Sequence, residues 1–215
     1  METVVWVNPS DVDVALARLG LRRSPLWDAI LAGLLERSNC TENDAPNVPG
    51  FIQWARTLRV LRERLILEDW VKSDSGRYYT VVRADGKVAI AVASGSEDTG
   101  REDGFPRNRS AKGPSTATIV SQNAGTIDLF PETLPPPTEV VDPERATYLL
   151  LFYVCPSDVR AELSLPVDID DDGYITAWRE RIILGSHPID SAAIEISGES
   201  PDAGPDIDVD VKRRA

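Results

Sequence analysis

Histidine is almost missing from this chain: its one ring, His187, stands beside Pro188 near a polar C-terminal stretch. That excludes the multi-histidine ligand sets of many catalytic metal centres. A Ser/His/Asp triad would have to recruit this single residue, and no GxSxG is present to supply its nucleophile. Cysteine is scarce too. Cys40 and Cys155 lie far apart with no CxxC or Cys/His grouping, which argues against a disulfide framework or a structural zinc and for a reducing cytoplasm. No segment approaches the ~20 apolar residues of a membrane span, and the most apolar run, YLLLFYVC at 148–155, has the length of a buried strand. The opening METVVWVNPSDVD has neither the basic region nor the apolar run of a signal peptide. The expected location is cytoplasmic, without a membrane partner.

Positive charge is in deficit. With 23 Lys and Arg against 35 Asp and Glu, the net charge is −12, so the surface as a whole does not attract nucleic acid or anionic membrane, and any basic patch must be local. Only 4 of those bases are lysines, a bias suggestive of a GC-rich bacterial genome. What is present suffices for a globular core: 215 residues with 42% hydrophobic content.

The first 70 residues read as helices. Asn8-Pro9-Ser10-Asp11 starts one over about 10–20, with Ser10 placed to cap it; Ser24-Pro25 starts another over about 25–37. After the turn-rich CTENDAPNVPG, Phe51, Trp54, Leu58, Leu61 and Leu65 form one apolar stripe of a helix over about 51–69. The period then shortens. Tyr78–Arg83 and Lys87–Ser94 flank Ala84-Asp85-Gly86, a hairpin signal, and strands return at Ala146–Cys155, Val159–Leu165 and Tyr174–Leu184.

The expected fold is therefore α+β. One domain over 1–185 has a helical part at 1–70 packed on a mostly antiparallel sheet of about five strands within 71–185. A long polar loop at 95–116 and a proline-rich, extended stretch around FPETLPPPTEVVDP interrupt the sheet part, and a loose acidic tail follows at 186–215. The expected core comprises Leu34, Trp54, Leu58, Leu61, Val81, Ile90, Val92, Leu149, Leu151, Tyr153, Leu163 and Ile182.

Three patterns bear on chemistry. DIDDDGYI opens like a calcium loop, with Asp168, Asp170 and Asp172 at ligand positions 1, 3 and 5 and Gly173 at 6. Position 12, however, is Arg179, and Pro166 with the alternating VRAELSL before it favours a tight turn between strands. Residues 95–113 offer glycines for close backbone approach and Arg101, Arg107, Arg109 and Lys112 for a phosphate or nucleic-acid backbone, although Glu97, Asp98, Glu102 and Asp103 cancel that charge and neither GxxxxGK[ST] nor GxGxxG occurs. Finally, three helices followed by a hairpin have the element order of a winged helix-turn-helix, with Arg56, Arg59 and Arg62 on the recognition helix and Arg83 and Lys87 on the wing.

The expectation is a non-catalytic cytosolic bacterial interaction or regulatory protein, an accessory factor of a mobile-element or defence system, with another protein as partner. The alternative is a nucleic-acid-binding module using the arginines of helix 51–69 and loop 95–113. Third is an enzyme acting on a phosphate-containing substrate. No cofactor is expected, and Ca2+ at the aspartate loop is the one metal considered.

Overall fold

The computed structural model describes residues 3–125 and 145–189. The proline-rich stretch 130–143 and residues 190–215 of the expected tail lie outside the described residues. In chain order the elements are β1 (Val4–Trp6), α1 (Pro9–Arg18), α2 (Arg23–Ser38), α3 (Val48–Ile66), β2 (Trp70–Ser73), β3 (Thr80–Arg83), β4 (Val88–Ser94), α4 (Pro114–Ala124), β5 (Ala146–Val154), β6 (Asp158–Ile169) and β7 (Ile175–Pro188). The strands form one sheet in the order β1-β7-β6-β5-β4-β3-β2.

The α+β class holds, but the sheet has seven strands rather than about five and is mixed rather than mostly antiparallel. The two extra strands are edges of three and four residues, too short to show a period. Asp69, at φ 63, turns the chain from α3 into β2, and β1 lies parallel to β7 with Val4 opposite Glu180. The second parallel pair is β4 with β5, in register from Val88 opposite Ala146 to Ser94 opposite Phe152. Parallel neighbours cannot be joined by a tight turn, so the chain crosses over between them, and α4 is part of that crossover.

Alternation sorts the strand residues onto two faces. Val88, Ile90, Val92, Tyr148, Leu150, Phe152, Ala161, Leu163 and Leu165 pack beneath α1 to α3. Ala91, Ala93, Leu149, Leu151, Ile175 and Trp178 form a second core on the opposite face. Of the expected core, Trp54 and Tyr153 are only half-buried, and the rest is buried. Helix α3 begins at Val48, and Phe51, read as part of its inward stripe, is 63% exposed.

Residues 95–113 form a polar loop between β4 and α4, but one held down on the sheet. They hold few apolar residues, and Phe105 is 86% exposed, yet they fold onto the second face through buried polar groups. Glu162 and Arg181, fully buried and 3% exposed, pair at 2.7 Å. Glu162 also accepts bonds from the Gly100 N–H at 2.8 Å and the Ser164 hydroxyl at 2.7 Å. The guanidinium of Arg181 donates further to the carbonyls of Gly104 (2.7 Å) and Arg101 (2.8 Å). Such a buried pair is tolerable because its remaining donors and acceptors find partners. Asn108, 2% exposed, is the second anchor: its Nδ2 donates to the carbonyls of Ser110 and Gly173, and its Oδ1 accepts the Ile175 N–H. Trp178 Nε1 adds a bond to the Pro106 carbonyl at 2.9 Å.

A second buried carboxylate, Glu180, sits on the helical face, where Trp6, Arg18 and Tyr148 all donate to it. Burial first, then the bond to Glu180 and its charge, push the Tyr148 phenol well above its ordinary pKa. The folded state thus holds the phenolic proton more tightly than the unfolded chain. That contribution to stability is intact below about pH 10 and is lost as pH rises beyond it. Urea titrations between pH 9 and 11.5 should show stability falling, with a shallower fall in Tyr148→Phe; an unchanged slope would contradict the assignment. In the same assay, Glu162→Gln should cost about 3–5 kcal/mol by stranding Arg181, whereas Glu63→Gln, at the exposed pair with Arg59, should cost about 0.5 kcal/mol or less.

Candidate functional site

Helices α2 and α3 meet at Gly33. A Cβ there would stand 2.1 Å from Thr57 Oγ1 and 2.6 Å from the Gln53 carbonyl, so only glycine allows so close an approach. One turn on along the same helix face is Arg37, whose Nη1 donates to Gln53 Oε1 at 2.9 Å. Gln53 is 1% exposed. Its Nε2 and the Nε of Arg37 are both buried without a hydrogen-bond partner. A buried donor left unpaired costs about 1–3 kcal/mol, and two of them side by side demand an explanation.

Both residues line a concave pocket of about 220 Å3, together with Ser94, Gly95, Arg109, Phe152, Tyr153 and Val154. The pocket lies at the carboxyl ends of the parallel strands β4 and β5, the position where open sheets with parallel strands hold ligands. Ser94 continues the alternation of Val88, Ile90 and Val92 and so presents its hydroxyl to the helical face. Arg109 arrives from the loop. Its N–H bonds to the Ser94 carbonyl at 2.9 Å, and the adjacent Asn108 is tied to Gly173 and Ile175.

The lining contains two guanidinium groups and no acid. Burial first, then the charge of Arg109, lower the pKa of Arg37. Two like charges, with unpaired donors on two of the lining residues, suit an anion.

Of the residues that the sequence suggested, Arg109 and the loop glycine Gly95 line this pocket. Arg56 is half-buried and has no side-chain partner among the described residues. Arg59 pairs with Glu63 at 2.8 Å, and Arg62 folds inward onto the carbonyls of Thr80 and Ser73 and onto Asp74. The hairpin β3–β4 is no free wing, since β2 and β5 flank it, and Arg83 pairs with Asp85. Arg101 lies 3.6 Å from Asp103. Arg107 stacks 6.0 Å over Tyr174 and lies 3.5 Å from Asp170, while the Lys112 N–H bonds to the Gly173 carbonyl.

Arg37 and Gln53 escaped sequence reading. The available signal was a glutamine with a threonine four residues on, Gln53 and Thr57, interrupting the buried side of an amphipathic helix.

The aspartate stretch forms the hairpin turn between β6 and β7, with Ile169 opposite Ile175. Asp170 Oδ1 accepts the Tyr174 N–H at 2.7 Å, Asp168 accepts the Thr176 hydroxyl, and the Asp172 carboxylate has no side-chain partner among the described residues. Gly173 takes φ 81, and a Cβ there would stand 2.5 Å from the Lys112 carbonyl oxygen, so this turn is also the seat of the loop's end. Among the described residues no group of three or more His, Cys, Asp or Glu is placed to hold a metal ion, and no helix is long and apolar enough to cross a membrane.

Compared with family models, curated proteins and solved structures, the chain matches none.

Calcium should leave the melting temperature unchanged, while Asp170→Ala should lower stability by about 1 kcal/mol through the lost bond to Tyr174. A calcium-dependent rise in the wild type that is absent from Asp170→Ala would instead establish a metal site.

Proposed function

We propose that this chain is a non-catalytic regulatory protein that responds to a small phosphate-bearing anion held between Arg37 and Arg109. The observation that carries the reading is a pocket lined by two arginines and no carboxylate, two of whose lining residues, Arg37 and Gln53, also bury an unpartnered donor, Nε and Nε2. Guanidinium donors match phosphate geometry, and Ser94 adds a neutral hydroxyl. No histidine, acid or thiol lines the pocket to act as base or nucleophile, which favours binding over turnover.

The nucleic-acid alternative has less support. Arg59 and Arg62 are engaged within α3 and the sheet edge, and a net charge of −12 repels a polyanion while a single local pocket still captures a small one. A cytosolic setting accords with the two free cysteines. A protein partner that reads the bound state remains part of the proposal.

Titration calorimetry with inorganic phosphate at constant ionic strength tests the pocket. Binding should saturate at one site and raise the melting temperature, and Arg109→Gln, at an exposed position, should weaken it at least tenfold without loss of stability. Absence of saturable heat at millimolar phosphate would overturn the reading.

A further inference from the structure

Beside the pocket, an aromatic row crosses the same end of the sheet. Phe51 and Trp54 lie with ring centroids 5.8 Å apart, and Trp54 meets Tyr79 edge-on at 5.9 Å. Trp54 is held in place by its Nε1, which donates to the Val92 carbonyl at 3.1 Å, an oxygen just past the last β3–β4 residue pair, Thr80 with Ala91. Its neighbours are left in solvent: Phe51 is 63% exposed and Tyr79 43%.

The row and the pocket share their framework. Gln53 and Trp54 are consecutive residues of α3, about 100° apart around its axis. Val92, which holds Trp54, and Ser94, which lines the pocket, alternate onto the same face of β4 and lie roughly 7 Å apart along the strand. An anion held by Arg37, Gln53 and Arg109 thus shares the carboxyl end of β4 with exposed aromatic rings, tilted 41° and 65° to one another along the row. We propose that the ligand is a nucleoside 5′-phosphate: the phosphate sits in the pocket and the base stacks on an exposed ring of the Phe51–Trp54–Tyr79 row, chiefly Phe51. This rests on the anion-pocket reading and adds the identity of the rest of the ligand. Stacking suits the row because every base has a π-face, and one base on one aromatic platform is worth roughly a tenfold gain in affinity or more. The negative net charge favours a free nucleotide over a strand.

Calorimetry on the full chain with inorganic phosphate, ribose 5-phosphate, adenosine 5′-monophosphate and an oligodeoxyadenosine bearing a 5′-phosphate separates the two readings. The monophosphate should bind roughly tenfold or more tightly than ribose 5-phosphate. Phe51→Ala, an exposed change that leaves the fold intact, should erase that difference without altering phosphate binding, as should Tyr79→Ala in part. Arg109→Gln should weaken every ligand. Equal affinity for ribose 5-phosphate and the monophosphate, with phosphate still bound, overturns the nucleoside proposal and spares the pocket. Selectivity that survives both aromatic substitutions also overturns it. Failure of all four ligands overturns both readings. If the oligonucleotide binds with the same dependence on Phe51, the source of the nucleoside phosphate is the end of a strand; if only the monophosphate binds, it is a free nucleotide.

Discussion

Beneath residues 95–106 the Glu162 carboxylate and the Arg181 guanidinium share their hydrogen-bonding capacity with the backbone above them: one accepts the Gly100 N–H, the other donates to the carbonyls of Arg101 and Gly104. A polar stretch has no hydrophobic reason to lie on a sheet, so its position depends on directional bonds made where water is excluded and hydrogen bonds are strong. Once this part is fixed, the rest follows in sequence. Trp178 holds Pro106, Asn108 clasps the β6–β7 turn, the Arg109 N–H meets Ser94, and the Lys112 N–H reaches Gly173. The ion pair on one face of the sheet therefore decides where a cationic side chain stands at the end of β4.

On the other face the constraint is steric. Gly33 lets α2 approach α3 until Arg37 reaches Gln53, at the cost of burying an Nε and an amide nitrogen without partners. A protein selected for stability alone would fill such a site with apolar groups or pair its donors. Unpaired donors on residues that line a pocket with two guanidinium groups instead resemble the pre-organised strain that binding sites retain, supplied here by stable neighbouring elements.

Much of the framework was legible because it follows from periodicity. The apolar stripe of α3, the run YLLLFYVC and the turn residues Asp85-Gly86 and Asp172-Gly173 each specify local structure through spacing or positive φ. The edge strands Val4–Trp6 and Trp70–Ser73 are too short for any period, and the parallel pairing of β4 with β5 is a long-range choice that leaves no local mark. Composition marked residues 95–113 as a polar loop but not where that loop rests, since polar residues that pair inside a fold look the same in sequence as polar residues in water. Of the site, Arg109 was legible as a loop cation. Arg37 and Gln53 were not, because their meeting depends on the absence of a side chain at Gly33, one helical turn away.

The most direct measurement is backbone amide hydrogen exchange of the wild-type chain, resolved at Gly95, Gly100 and Arg109. These amides donate to Phe152, Glu162 and Ser94 respectively. The account requires all three to be protected to nearly the level of the β4 and β6 amides, because the loop opens only when the Glu162–Arg181 pair is exposed. Exchange of Gly100 and Arg109 at the rate of an unstructured peptide, while the sheet stays protected, would contradict it.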